Sequence, residues 1–137
     1  MNIQIRYLSR TGNTKKIALA ISEAAGVEAK TVKDPVQAAD ILFLGGAIYA
    51  SKADKRLMEF AGGLDDRIKK VAIFSTSAGD ASVYDEISQR LREKNISVCE
   101  DNFHCKGRFL FWLRGVPNRH DLDEAKKFAA RIIEGAK

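Results

Sequence analysis

Apolar and polar positions change rhythm several times along the 137 residues, and each change predicts an element. Residues 2–8 (NIQIRYL) carry Ile3, Ile5, Tyr7 and Leu8 in near alternation, the period of a strand. From Asn13 to Ala25 the apolar residues recur at Ile17, Ala20, Ile21 and Ala24, which is helical spacing, and Gly26 stands where a helix stop belongs. Residues 27–32 (VEAKTV) predict a short second strand, and Asp34-Pro35 opens a turn or brief helix. Residues 40–47 (DILFLGGA) form an almost continuous apolar run, as expected of a strand buried on both faces.

The second half continues the alternation. Lys55 to Phe60 predicts a helix ending at Gly62-Gly63, and residues 70–76 (KVAIFST) a second buried strand. Ala81 to Lys94 is an amphipathic helix with Tyr84, Ile87 and Leu91 on one stripe. Residues 96–103 predict a fifth strand, and Asp121 to Ile133 a closing helix, with Asp121 as its cap and Glu124 completing a capping-box-like pair. Five strands alternating with helices imply right-handed parallel crossovers. At this length the expected architecture is an α/β doubly wound three-layer sandwich, one domain over residues 1–137, with a five-stranded parallel sheet in the order 2-1-3-4-5. Ligands of such sheets bind outside the carboxyl ends of the strands, so the loops after Leu8, Gly46 and Phe74 are the ones that matter.

Composition narrows the function classes. The chain is 45% hydrophobic and 30% charged, ordinary for a soluble protein that needs no metal or disulfide staple. Cys99 and Cys105 lack the CxxC spacing of redox or zinc sites and are expected as packed thiols in a reducing compartment. No run is long and apolar enough for a membrane span and no secretory signal is visible, so a cytoplasmic monomer is expected. The formal charge of +5 is scattered in pairs such as Lys15-Lys16, Lys69-Lys70 and Lys126-Lys127. Scattered pairs describe the surface a partner meets rather than a nucleic-acid footprint, so no nucleic-acid function is expected.

The first loop reads Ser9-Arg10-Thr11-Gly12-Asn13-Thr14 and leads directly into a helix. Hydroxyls, an amide, a glycine that lets backbone approach closely and an unpaired helix N-terminus together make a phosphate cradle. Neither GxxxxGK[ST] nor GxGxxG is present, which argues against a nucleoside triphosphate or a dinucleotide. This loop, between the first strand and the first helix, resembles the S/T-x-T-G-N-T phosphate loop of the flavodoxin family, and the chain is identified as similar to its short-chain members. The resemblance implies one FMN, with Ser9, Thr11, Asn13 and Thr14 on its phosphate and Arg10 and Gly12 in the same loop.

It also implies roles for two further loops. Within Gly45 to Lys52, the stretch Ala47-Ile48-Tyr49-Ala50 matches the loop after strand 3, and Tyr49 the side chain that packs on the inner flavin face. Ala50 stands where many members carry glycine, whose freedom at positive φ lets the peptide turn toward flavin N5. Ser77-Ala78-Gly79-Asp80 matches the loop that meets the pyrimidine edge. The outer stacking aromatic aligns best with Val83. Tyr84, one position later, is either that aromatic or the first core residue of its helix.

Two features stand outside the resemblance. Residues 103–114 set six large apolar side chains beside cationic ones, either a docking surface or a cover over the sheet edge. Family members are usually strongly acidic, whereas Lys52, Lys55, Arg56, Lys106, Arg108 and Arg114 put positive charge near the expected ligand edge. His104 and His120 have no ligand-spaced neighbours, so no metal is expected. The first function expected is an electron carrier shuttling between redox partner proteins that present an acidic docking face. The alternatives are an FMN-dependent oxidoreductase similar to the flavodoxin-like protoporphyrinogen oxidases, whose strand-3 loop also reads like GGAIYASKADKRLMEF, and an interaction module that has lost FMN.

Overall fold

Ile41, Leu42, Phe43 and Leu44 are all fully buried, and the sheet is built outward from the strand they occupy. In the computed structural model, which describes residues 1–49, 52–106 and 117–137, β3 (Ile41–Tyr49) pairs in parallel with β1 (Ile3–Tyr7) on one side and β5 (Lys70–Ser77) on the other. Beyond β1 lies β2 (Ala29–Thr31), and beyond β5 lie β6 (Ser97–Val98) and β7 (Phe103–Lys106). Counted by position across the sheet, the parallel strands stand in the expected 2-1-3-4-5 order.

The fifth position departs from expectation. One strand over 96–103 becomes two short ones, because residues 100–102 leave the ladder between two separate pairings with β5. A second departure is β4 (Lys52–Ala53), which folds back antiparallel on Ile48 and Tyr49, so that β3 extends as a hairpin where a loop was expected. The region 45–49 therefore belongs to the sheet.

Alternation along β3 and β5 sends side chains to two cores. Ile41, Phe43, Ala72 and Phe74 face α1 (Asn13–Ala25) and α4 (Arg119–Gly135), where Phe128 meets the Phe43 ring edge-on at 6.0 Å. Leu42, Leu44, Val71 and Ile73 face α2 (Lys55–Gly62) and α3 (Tyr84–Glu93). Helices thus cover both faces of the sheet, as the three-layer expectation requires. α1 has the bounds predicted for it, with Gly26 left-handed at φ +72° as its stop. α3 begins at Tyr84 rather than Ala81. Asp121 is not the cap of α4. Asn118 is, and Asp121 is its reciprocal partner three positions on, the two side chains each accepting from the other's backbone N–H at 3.0 and 2.9 Å.

Gly45 and Gly46 are explained by close approach within the sheet. A Cβ on Gly45 would overlap the Phe74 ring, and one on Gly46 would overlap Leu57 of α2. Overpacking a dense core costs about 1–3 kcal/mol. Gly45→Ala is therefore expected to lower stability by about that amount in urea unfolding, with a smaller penalty in a Phe74→Leu background.

Candidate functional site

β1 ends at Tyr7, and the chain turns at once into α1. The Gly12 N–H donates to Ser9 Oγ at 3.0 Å, closing the turn, and Gly12 takes φ +90°, a conformation strained for residues with a side chain. The first bond of α1 runs from Lys16 N–H to the Gly12 carbonyl at 3.1 Å. Its cap residue, Gly12, offers no side chain and no acidic residue lies in its first turn, whereas Asp54 caps α2 and Asn118 caps α4. The first-turn N–H groups and the positive end of the helix dipole thus face the loop. Asn13 and Thr14 are buried, Ser9 and Gly12 half-buried, Arg10 and Thr11 exposed.

The carboxyl end of β5 runs alongside. Ser75, Thr76 and Ser77 are buried, and Thr14 Oγ1 shares a 2.9 Å hydrogen bond with Thr76 Oγ1. The first and third loops are joined by that bond.

Arg10 joins the first loop to the second. Its guanidinium stands 4.1 Å from the centroid of the half-buried Tyr49 ring, and its Nε and Nη2 donate to Asp54 Oδ2 at 3.0 and 2.7 Å. Arg56 donates to the same carboxylate from Nη2 at 3.1 Å, and its backbone N–H is capped by Asp54 Oδ1 at 2.9 Å. The Asp54 side chain is only 4% exposed. The Arg56 side chain above all, with the backbone cap and Arg10, holds this carboxyl far below the usual range against the opposing effect of burial. Ala47 and Ile48 are buried strand residues, and Ala50 lies outside the described residues.

Residues 78–81 of the third loop are exposed. Ser77 Oγ donates to the Gly79 carbonyl at 2.8 Å and also meets His104 Nε2 of β7 at 2.8 Å. Farther on, the Val83 N–H donates to Ser75 Oγ at 3.0 Å. Val83 is fully buried, and Tyr84 packs against the α2–α3 core with its hydroxyl accepting from Arg92 at 3.1 Å.

The structure thus brings the Ser9–Thr14, Ala47–Tyr49 and Ser77–Asp80 segments to one end of the sheet. Sequence reasoning missed Asp54 and His104 in this setting. Asp54 carried a readable signal, an acid directly before a helix. His104 carried none, because its partner lies 27 residues away. Of the 103–114 segment, Phe103–Lys106 is β7, and the remainder falls outside the described residues. Cys105 is buried and its thiol pushed up to about 12 by desolvation, in keeping with a packed cysteine. Among the described residues, no cluster can hold a metal ion and no helix is long and apolar enough to cross a membrane.

Comparison with known proteins agrees with this fold. A family model described as a flavodoxin domain matches residues 4–129. An uncharacterized protein of Methanocaldococcus jannaschii is 26% identical, over 89% of this chain and 91% of that one. Among solved structures, a flavodoxin from the Archaea superposes with a TM-score of 0.76 at 21% identity, covering 99% of each chain. Flavodoxin 1 of Bacillus cereus gives 0.76 at 18%, covering 98% of each. At these identities the structural likenesses speak for the fold.

The Asp54 clamp has a defined pH signature. Because its folded pKa is depressed, its contribution is present above the unfolded carboxyl value of 3.8 and lost as pH falls through the folded one. Asp54→Asn, which keeps a capping oxygen, is expected to lower the urea midpoint at pH 7. The difference from wild type should shrink steadily below about pH 4, and a constant gap would count against the clamp.

Proposed function

The chain belongs to the flavodoxin domain family, and we propose that it binds one FMN at the three converging loops and carries electrons between redox partner proteins. One observation carries the reading: the N-terminus of α1 is free of acids in its first turn and entered through a left-handed glycine that offers no side-chain cap. That donor set fits a dianionic phosphate, which accepts from helix N–H groups and hydroxyls and gains from the helix dipole. Bound there, FMN would supply reversible electron uptake at its isoalloxazine ring.

The chain's own residues then divide the work. Ser9, Thr11, Asn13 and Thr14 hold the phosphate, and the Thr14 hydroxyl can donate to it while accepting from Thr76. Gly12 keeps the turn open, and Arg10 adds charge while steadying Tyr49 through Asp54. Ala47, Ile48, Tyr49 and Ala50 flank the ring, with Tyr49 as the stacking surface. The Ser77, Ala78, Gly79 and Asp80 segment meets the pyrimidine edge. Tyr84 is assigned to the core of its helix, because its ring and hydroxyl are engaged there.

FMN is expected to bind with submicromolar affinity and riboflavin far more weakly, as read by quenching of flavin fluorescence. Thr11→Ala and Thr14→Ala each remove a charge-assisted bond of about 1.5–3 kcal/mol, a loss of at least tenfold in FMN affinity. Equal affinities for FMN and riboflavin would sink the assignment.

The docking face is proposed to be cationic and its partners acidic. Lys52, Lys55 and Lys106 are exposed beside the site, and Arg10 and Arg56 are about half-exposed. Rim charges of this kind act mainly on association rate. Electron transfer to an acidic partner protein is expected to slow as salt rises and in a Lys52→Glu, Lys55→Glu double variant. Rates indifferent to both changes would place docking elsewhere.

A further inference from the structure

His104 lies where none of the assigned roles uses it. Phe103 and Cys105 face the α1–α4 core, so strand alternation turns His104 to the other face, in register with Ser75 of β5. There it sits beneath the chain that leaves β5. Its Nε2 meets Ser77 Oγ at 2.8 Å, and Ser77 Oγ in turn donates to the Gly79 carbonyl at 2.8 Å. The Ala81 backbone lies within hydrogen-bonding reach of the same ring. One side chain therefore meets the 77–81 segment at Ser77, and the Ala81 backbone acts on its charge.

The two protonation states grip it differently. A neutral imidazole has one N–H for two oxygen acceptors, Ser77 Oγ and the Ala81 carbonyl. If that N–H goes to Ser77, the other nitrogen turns a lone pair toward Ala81. If it goes to Ala81, the Ser77 hydroxyl must turn from Gly79 to donate to the ring. The imidazolium has two N–H groups and satisfies the whole chain at once, from Ala81 through His104 and Ser77 to Gly79.

Among the described residues, the charges around the ring are few. Asp80 lies in the loop and Lys106 two residues along β7, with opposite effects on the ring's charge. On α3, Glu86 is turned to the Ala53 N–H at 2.7 Å and Asp85 is exposed, while β5 presents only Ser75 and Ser77 here. Burial outweighs Asp80 and holds the His104 pKa below its ordinary value of 6.5, which favours the neutral ring.

We propose that His104 is a positioning residue for the 77–81 loop and that it takes up a proton when negative charge appears on a ring held by that loop. The inference rests on the FMN reading above. Reduction there would bring two electrons from the redox partner and one proton to the bound cofactor, leaving one negative charge on it. His104 would then bind a second proton at its unprotonated ring nitrogen, so that two electrons and two protons enter together. Linkage is reciprocal: an anion that raises the affinity of His104 for a proton makes that proton favour the reduced form. With the pKa starting low, the coupling acts on the acid side of neutrality and fades as pH rises.

Potentiometric titration of the FMN-loaded protein between pH 5 and 8 tests this, beside His104→Gln and His104→Leu. The wild type is expected to show one extra proton per electron pair over part of that range, and both variants none. Proton NMR of the cofactor-free protein is expected to show His104 titrating below 6.5, and the value to rise in the reduced, loaded protein. Gln retains a donor for Ser77 and Leu does not. FMN affinity should therefore fall roughly tenfold in His104→Leu, the worth of about one hydrogen bond, and be largely restored in His104→Gln. FMN bound with identical pH slopes in all three proteins overturns the role of His104 alone. Failure of the wild type to bind FMN overturns the site reading and this inference together.

Discussion

Gly45 and Gly46 leave two vacant side-chain volumes on the central strand, and the Phe74 ring and Leu57 occupy them. The geometry of the site follows from this packing. Leu57 seated over Gly46 brings the first turn of α2 against the sheet, and with it Asp54, the cap of that turn. Asp54 is then within reach of Arg10, and Arg10 of Tyr49. On the other side, the β3–β5 register opposes Ala47 to Thr76 and sets the Thr76 hydroxyl beneath Thr14. Steric room in one strand is thus converted into hydrogen-bond geometry in three loops.

The parts of the fold governed by local periodicity were legible in the sequence. α1 kept its predicted bounds because its apolar spacing, its entry loop and its Gly26 stop agree with one another. The fifth strand was not legible, since its split is a tertiary matter. Asp101 is held by Arg131 of α4 at 2.9 Å, and no pattern within residues 96–103 announces an ion pair 30 residues away. The cap of α4 was misplaced by three residues because Asn118 and Asp121 are both sound capping types, and only the reciprocal bonds decide their order. In the candidate site, the three loops were visible as contiguous strings. The bonds that unite them join residues 62 and 44 positions apart, and these required the fold.

Charge at this end of the molecule is unbalanced. Asp54 is shared by two arginines, which leaves the cluster with a net positive charge, and Lys15, Lys52 and Lys55 stand exposed nearby. A field of this sign, concentrated where the sheet ends, attracts anions from solution and gains strength wherever a ligand excludes water. The basic character of the sequence thus has a local expression, although its residues are scattered in pairs along the chain.

The sheet's edges have a consequence of another kind. Among the described residues, one side ends in β2 with three residues and the other in β6 with two and β7 with four. A foreign chain adding itself to a sheet needs a row of unpaired N–H and C=O groups several residues long, and short or interrupted edge strands withhold it. The gap at residues 100–102 breaks such a row at the edge beyond β5. A domain with this much buried β-branched and aromatic sequence thereby resists strand-on-strand aggregation while it is concentrated, stored or newly synthesised.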